Sequence, residues 1–490
     1  MSFFFRPIII LGFIAIIGLL IMACQTTFPP AFLQMPQEGQ GPFGADNGEL
    51  AHFSALAFDS QNRPYGLNAK EDWGYFRTLR QGQWEQRSFR SFLKNLHPQD
   101  RVTTAHQDNG HQQPRLSITS DDHLYLTYNY LVNDEPHWAL IYLDDLDTEN
   151  FQIIPFPGAR QAVVEEFTGF NLLNGETPAI TVDYVGESFS DLGWPEPTVS
   201  WTVGNVNVVD VVFPFRRDDG KIELNSFRLG NKLGAPTIHS GGNATMATRG
   251  NLSFVAYSGY DEEKALAGVR KDANIAYLAQ ITRPETITGQ ASMVTRSMGI
   301  QSVYQHLDSH SQGSVVIDAQ NFLHFFPGNH AAADFHMRSR FPLEGNEFDF
   351  SGDQQWENLG LTTPKGDFSY DTVVVDQENT LHFAYRQRNA GKGRGLFVKS
   401  APATVNKWDQ TLGQRLIAPP PPWDENGEYI IFYHRLLIDR LGNLHLSGSF
   451  LEFEHYEKGR YPRLGLIRSQ ENGEWQEASL ELYRQNLLVN

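Results

Sequence analysis

Two pairs of residues in the C-terminal half combine types and spacing that suit proton transfer and anion binding. His310 and His330 stand twenty residues apart, and Tyr370 and Arg386 stand sixteen apart. Each pair brackets an apolar run, a polar turn and a second apolar run. Its members therefore occupy the two arms of one hairpin, and His310 and His330 can face the same mouth. An imidazole titrates near neutral pH, and a phenol can exchange its proton once a cation lowers its pKa. A guanidinium stays charged and grips carboxylates with a two-pronged fork. Arg338, Arg340, Arg388 and Lys392 add positive charge that could contact further anionic groups, although a surface Arg or Lys is more often solvated charge alone.

These hairpins belong to a repeat. An apolar strand leads into a polar turn, often opened by Asp, and then into Leu or Pro followed by His, Tyr or Ser. The phrase runs from Asp59 to Tyr65, Thr119 to Tyr125, Ala247 to Ser253, Asp318 to His324, Asp376 to His382 and Asp439 to His445, six residues each time. The second landmarks recur about every 60 residues if one copy is missing between 125 and 253. A degenerate copy near Ala179 to Val185, followed by a long irregular insertion, would make seven. A later strand repeats as well, at Tyr75 to Thr78, Phe335 to Ser339 and Leu466 to Ser469. Units of alternating strands at fixed spacing, with no amphipathic helix longer than two turns, predict an all-β fold. The expected form is a seven-bladed β-propeller of four-stranded antiparallel blades.

In such a fold the first strand of each blade lines a central channel. Eight residues before the first landmark stand His111, His239 and His310, and six before it stand Tyr370 and Tyr433. His324, His382 and His445 share one strictly repeated site and read as structural decoration, hydrogen-bonded to backbone. For His111 and His239 a structural role and substrate contact weigh about equally.

The N-terminus reads as an address. Residues 8–21 form a nearly unbroken apolar run after Arg6, too short for a comfortable membrane span of about 20 residues and suited to a signal-peptide core. The run ends in Leu20-Ile21-Met22-Ala23-Cys24, which resembles a bacterial lipobox, and Cys24 is the only cysteine. Residues 1–24 are expected to be a lipoprotein signal peptide acylated at Cys24, and Gln25 favours the outer membrane, with plain secretion the alternative. Residues 25–48 hold Pro29, Pro30, Pro36 and Pro42 and read as a flexible tether before a domain spanning 49–490. With one cysteine no internal disulfide can form, so stability must come from a large core. The formal charge of −18 argues against nucleic acid as partner. It leaves room for an acidic polysaccharide held in a local basic pocket. Aromatics at 12%, with 42 Gly and 26 Pro, suit a turn-rich β protein that handles sugars.

The stretch from His310 to Lys392 resembles the BNR-like propeller polysaccharide lyases, which include seven-bladed ulvan lyases. That family carries a hairpin with His on both arms, a hairpin with Tyr, and then a Tyr-Arg-x-Gly-x-Ser-Gly-x-Gly-like stretch. Here His310, His330, Tyr370 and Arg386 match, while Arg388 and Ala390 replace the family's Gly and Ser. The matching hairpins also lie in blades five and six rather than in early blades.

The resemblance implies β-elimination at a 4-linked uronate of a sulfated, ulvan-like polysaccharide. Arg386 would neutralise the carboxylate, His310 and Tyr370 would share the base and acid roles, and His330 would position the sugar. Arg338, Arg388, Lys392, His111 and His239 are candidate substrate contacts. No cofactor is expected, and a structural metal ion stays open. The partners implied are the acidic polysaccharide and, through the lipid, a membrane; the chain itself is expected to be a monomer. The alternatives are a sialidase-like hydrolase, of which Ser469 to Trp475 offers one Asp-box-like turn, and a non-catalytic glycan-binding propeller. No zinc motif, phosphate loop or nucleotide fingerprint is present.

Overall fold

The computed structural model describes residues 53–68, 75–80, 83–104, 115–156, 162–168, 179–187, 206–229, 246–259, 275–300, 313–328, 334–343, 355–364, 368–387, 395–417, 431–451, 463–471 and 474–477. Among them the fold is all-β, with one helix of seven residues, Arg90–Leu96. The strands form seven antiparallel sheets in chain order, spanning 53–88, 102–155, 162–228, 246–300, 314–361, 368–417 and 431–477. Six have four strands. The second has five, because its strand Leu124–Val132 is nine residues long and pairs with Arg115–Ile118 over one half and Val102–Thr104 over the other. The expectation of four strands throughout is corrected there.

Each sheet contains a hairpin of the repeat, which opens every sheet but the second, and the turn explains the repeat. In the first, fifth and seventh sheets the aspartate Oδ1 accepts hydrogen bonds from the backbone N–H groups two and four residues on, as Asp318 does from Gln320 (2.9 Å) and Phe322 (2.8 Å). In the sixth, Asp376 accepts from Thr380 N–H at 2.7 Å. The fourth turn residue has positive φ: 61° at Asn62, 63° at Asp122, 68° at Asn321, 62° at Asn379 and 87° at Gly442. Asn, Asp and Gly are the residues that tolerate this region, which is why the turn chemistry was legible.

Two copies depart from the phrase. In the fourth sheet Thr248 pairs with Ser253 and Arg249 with Leu252, leaving a tight loop at Gly250-Asn251 with Gly250 at φ 58°. The third sheet confirms the degenerate copy but shifts it. Ala179–Glu187 is only the second strand, and the first is Ala162–Thr168, separated by a longer connection than in the other copies. The insertion placed after that copy lies largely outside the described residues. The later repeated strands at Tyr75, Phe335 and Leu466 are all third strands of their sheets.

The first strand of each sheet, or Arg115–Ile118 in the second, packs beside its counterpart in the next, from first to seventh, and the first strand of the first sheet touches the seventh sheet. Apolar residues fill the spaces between neighbours. Between the fifth and sixth sheets these are Phe326, Val373, Phe383, Tyr385 and Trp408, all buried.

Candidate functional site

The sixth sheet opens with Phe368–Val375 paired to Thr380–Gln387. Ser369 stands opposite Arg386, then the register slips, so that Tyr370 and Asp371 together face Tyr385 before Thr372 meets Ala384. This is a β-bulge, a device that re-aims side chains at the end of a strand. The same slip recurs in the seventh sheet, where Tyr433 and His434 fall between Phe432 and Arg435. The hairpin therefore brings Tyr370 and Arg386 to adjacent positions, as their spacing predicts. Arg386 is 4% exposed, so its guanidinium works in a low-dielectric setting where a charge acts strongly.

Sequence reasoning missed what lies next to Tyr370. Asp371 is 1% exposed, and its carboxyl neighbours that of Asp334, which is wholly buried ahead of the third strand of the fifth sheet, with no donor among the described residues reaching any of the four oxygens. Burial lifts both acids above the usual carboxylate range, Asp371 to about 7, and the neighbouring charge pushes Asp334 higher still. Ser314 Oγ donates to the Asp371 carbonyl at 3.1 Å, and Thr362 N–H donates to the Asp334 carbonyl at 2.9 Å. An Asp inside the otherwise apolar run before Val373-Val374-Val375 was the available signal.

A second buried polar chain crosses the same interface. Asp318 Oδ2 meets His324 Nε2 at 3.2 Å, and His324 Nδ1 meets His336 Nε2 at 2.9 Å. Trp408 Nε1–H then donates to His336 Nδ1 at 3.1 Å. The His336 ring stacks on Phe326 with centroids 4.3 Å apart. Burial holds His324 and His336 below the usual imidazole range, and the neighbouring His324 and Arg338 charges depress His336 further.

His382 and His445 repeat the first link, to Asp376 at 2.8 Å and Asp439 at 3.1 Å. The repeated histidines are structural, as expected, but the partner is the turn aspartate rather than backbone. Six residues along the hairpin return the ring to the aspartate's second oxygen. Burial alone would raise Asp318 and Asp439, yet the imidazole and backbone hydrogen bonds outweigh it and hold both below the usual range.

Among the candidate substrate contacts, Arg338 lies on the third strand of the fifth sheet. One nitrogen of its fork bonds Glu357 at 2.8 Å and another the Ala403 carbonyl at 3.1 Å. Arg340 donates to the Trp356 carbonyl at 3.2 Å. His310, His330, Arg388, Lys392, His111, His239 and Cys24 lie outside the described residues, as does the Tyr370 side chain. Among the described residues no group of three or more His, Cys, Asp or Glu side chains converges as metal ligands would.

A family profile described as a BNR repeat-containing family member matches residues 253–484, so this part of the chain is similar to that family. No curated protein matches the chain. Similar solved structures include a protein of unknown function from Dyadobacter fermentans, 11% identical, covering 75% of this chain and 97% of that one at a TM-score of 0.40. A polysaccharide lyase described as an ulvan lyase is 14% identical, with 51% of this chain and 72% of that one covered at 0.30. A sialidase from Trypanosoma rangeli is 9% identical, with 81% and 57% covered at 0.35.

Proposed function

We propose that the seven sheets are the blades of one closed propeller and that the protein is a polysaccharide lyase. In this reading it cuts a 4-linked uronate by β-elimination, with ulvan the foremost candidate polysaccharide. The observation that supports the reading most directly is the paired hairpin that sets Arg386 opposite Ser369 and beside Tyr370. The similarity of residues 253–484 to BNR repeat proteins spans all four residues of the proposed site.

The chemistry follows from the acidity of the proton to be removed. The C5 proton of a uronate lies alpha to a carboxylate, and an existing negative charge opposes a second one beside it. Arg386 offsets that charge with a fork that never deprotonates. One of His310 and Tyr370 takes the C5 proton, and the C–H electron pair becomes the C4–C5 double bond. The C4–O bond then breaks, and the other residue gives a proton to the departing oxygen. His330 orients the sugar. Fixed charge facing the developing enediolate supplies the largest part of the rate.

The same reading has the chain exported, acylated at Cys24, held at the outer membrane by the 25–48 tether and acting as a monomer. The test is incubation of the mature protein with a panel of uronate polysaccharides. Ultraviolet absorbance from unsaturated ends supports the lyase. New reducing ends without absorbance would assign a hydrolase, and binding with neither would assign a glycan-binding protein.

A further inference from the structure

Resting on that reading, we propose that Asp334 and Asp371 are positioning residues: one proton shared between their carboxyl groups clamps the bulge that carries Tyr370 to the neighbouring sheet. The bulge is the weak point of the hairpin. Between Ser369 and Thr372 two residues face one, so the regular ladder of cross-strand hydrogen bonds is interrupted where Tyr370 sits. Asp371 is the second residue of that bulge, and the acid it reaches belongs to another sheet. The contact therefore ties the sixth sheet to the fifth at the residue after Tyr370.

The surroundings leave the two acids to each other. No hydrogen-bond donor among the described residues reaches either carboxyl. Lys399, a buried cation on the third strand of the sixth sheet, donates to the carbonyls of Thr362, Asp409 and Thr411 and to the Asp409 carboxylate. His336, two residues beyond Asp334, has both ring nitrogens engaged by His324 and Trp408. The Tyr385 hydroxyl donates to the Leu412 carbonyl. Two carboxylates cannot both stay ionised side by side without water or a cation, so one keeps its proton and donates it to the other. Aspartic acid is thus used here as a hydrogen-bond donor, and the arrangement persists only while the proton is held.

The experiment compares Asp371→Ala, Asp371→Asn and Asp334→Asn with wild type in three measurements. Backbone hydrogen exchange over residues 369–372 should accelerate in Asp371→Ala and stay near wild type in the Asn variants at neutral pH, because an amide supplies the same donor permanently. The advantage of wild type over the Asn variants in melting midpoint should shrink as the pH rises from about 4 towards 8, so that the two pH profiles differ in slope across that window. In ultraviolet elimination assays Asp371→Ala should lower kcat roughly 10- to 100-fold with KM little changed. Asp371→Asn should recover most of the loss.

Unchanged exchange in Asp371→Ala, or an unchanged melting slope in the Asn variants, overturns the clamp. So does stabilisation of wild type by millimolar calcium that Asp371→Asn abolishes, since the pair would then be a cation site. If wild type shows no elimination while the exchange and melting results hold, the lyase reading fails and the clamp stands.

Discussion

The backbone N–H of Arg440 donates to Asn62 Oδ1 at 2.8 Å, joining residues 378 apart in the chain. Asn62 Nδ2 returns a bond to Asp439 at 3.2 Å, and the Arg440 guanidinium reaches the carbonyls of Phe58 and Asp59. The same link recurs between other neighbours, with Ala319 N–H on Asn379 Oδ1 at 2.8 Å and Ser60 N–H on Asp122 Oδ1 at 2.7 Å. The turn residue that needs positive φ is also the one that locks adjacent sheets.

Asn62→Ala should therefore be costly at a buried position. It removes the intersheet bonds of the side chain and leaves at φ 61° an alanine, which lacks the short polar group that lets Asn tolerate that region. The expected loss is about 2–4 kcal/mol by denaturant melts. Asn62→Gly, which keeps the backbone angle, should recover only the strain, roughly 1 kcal/mol. Equal stabilities for the two variants would show that the backbone angle contributes nothing here.

The buried histidines predict an acid limit to stability. His324 and His336 stay neutral in the folded protein because burial depresses both, whereas in the unfolded chain they titrate near 6.5. Below about pH 6.5 the unfolded chain gains protons that the folded protein refuses. The stabilising contribution is full above that value and is lost as the pH falls. His336→Phe should lower stability at neutral pH by about 2–3 kcal/mol, because His324 and Trp408 lose a partner. It should also make the acid limb shallower. Melts across a pH series check both, and an acid limb of unchanged steepness would rule His336 out as its source.

The aspartate pair acts with the opposite sign. Folded Asp371 is raised to about 7 from an ordinary 3.8, so the folded protein binds the extra proton. Its contribution is full below about 4, declines as the pH rises and is gone once the pH passes about 7. The two contributions therefore oppose each other between about pH 4 and 7, and Asp371→Asn should remove only the one that declines with rising pH.

Within the proposed elimination, Arg386→Ala should lose both binding and turnover, since it meets the carboxylate in ground and transition states alike. Tyr370→Phe and His310→Ala should keep binding and lower turnover by ~10²–10⁴. Single-turnover ultraviolet assays, with melts to exclude misfolding, decide this. Full activity in both Tyr370→Phe and His310→Ala would defeat the assignment.

At the N-terminus, Cys24→Ser should move the protein from the membrane fraction to the soluble one. Failure of wild type to incorporate labelled fatty acid would end the lipoprotein reading.

What the chain reveals unaided is local. Turn aspartates, their Asn or Gly three residues on, and the His or Tyr six residues on are all set within one hairpin. Backbone geometry relates such residues whatever surrounds them, so the strands, the turns and the placing of Tyr370 and Arg386 on the two arms of one hairpin could be read directly. The third sheet blurred because a longer connection between its first two strands hid the phrase.

Contacts between sheets were decided only in three dimensions. Asp334 and Asp371 are 37 residues apart by number, on different sheets, and nothing in the run around either names the other. Their meeting depends on how far one sheet is rotated against the next, as does the contact between His336 and Trp408. The charge of Arg338 is visible in sequence, whereas its ion pair with Glu357 depends on the register of two neighbouring strands. Sequence spacing specifies neighbours along a hairpin; packing of one sheet on another selects which buried polar groups share a proton.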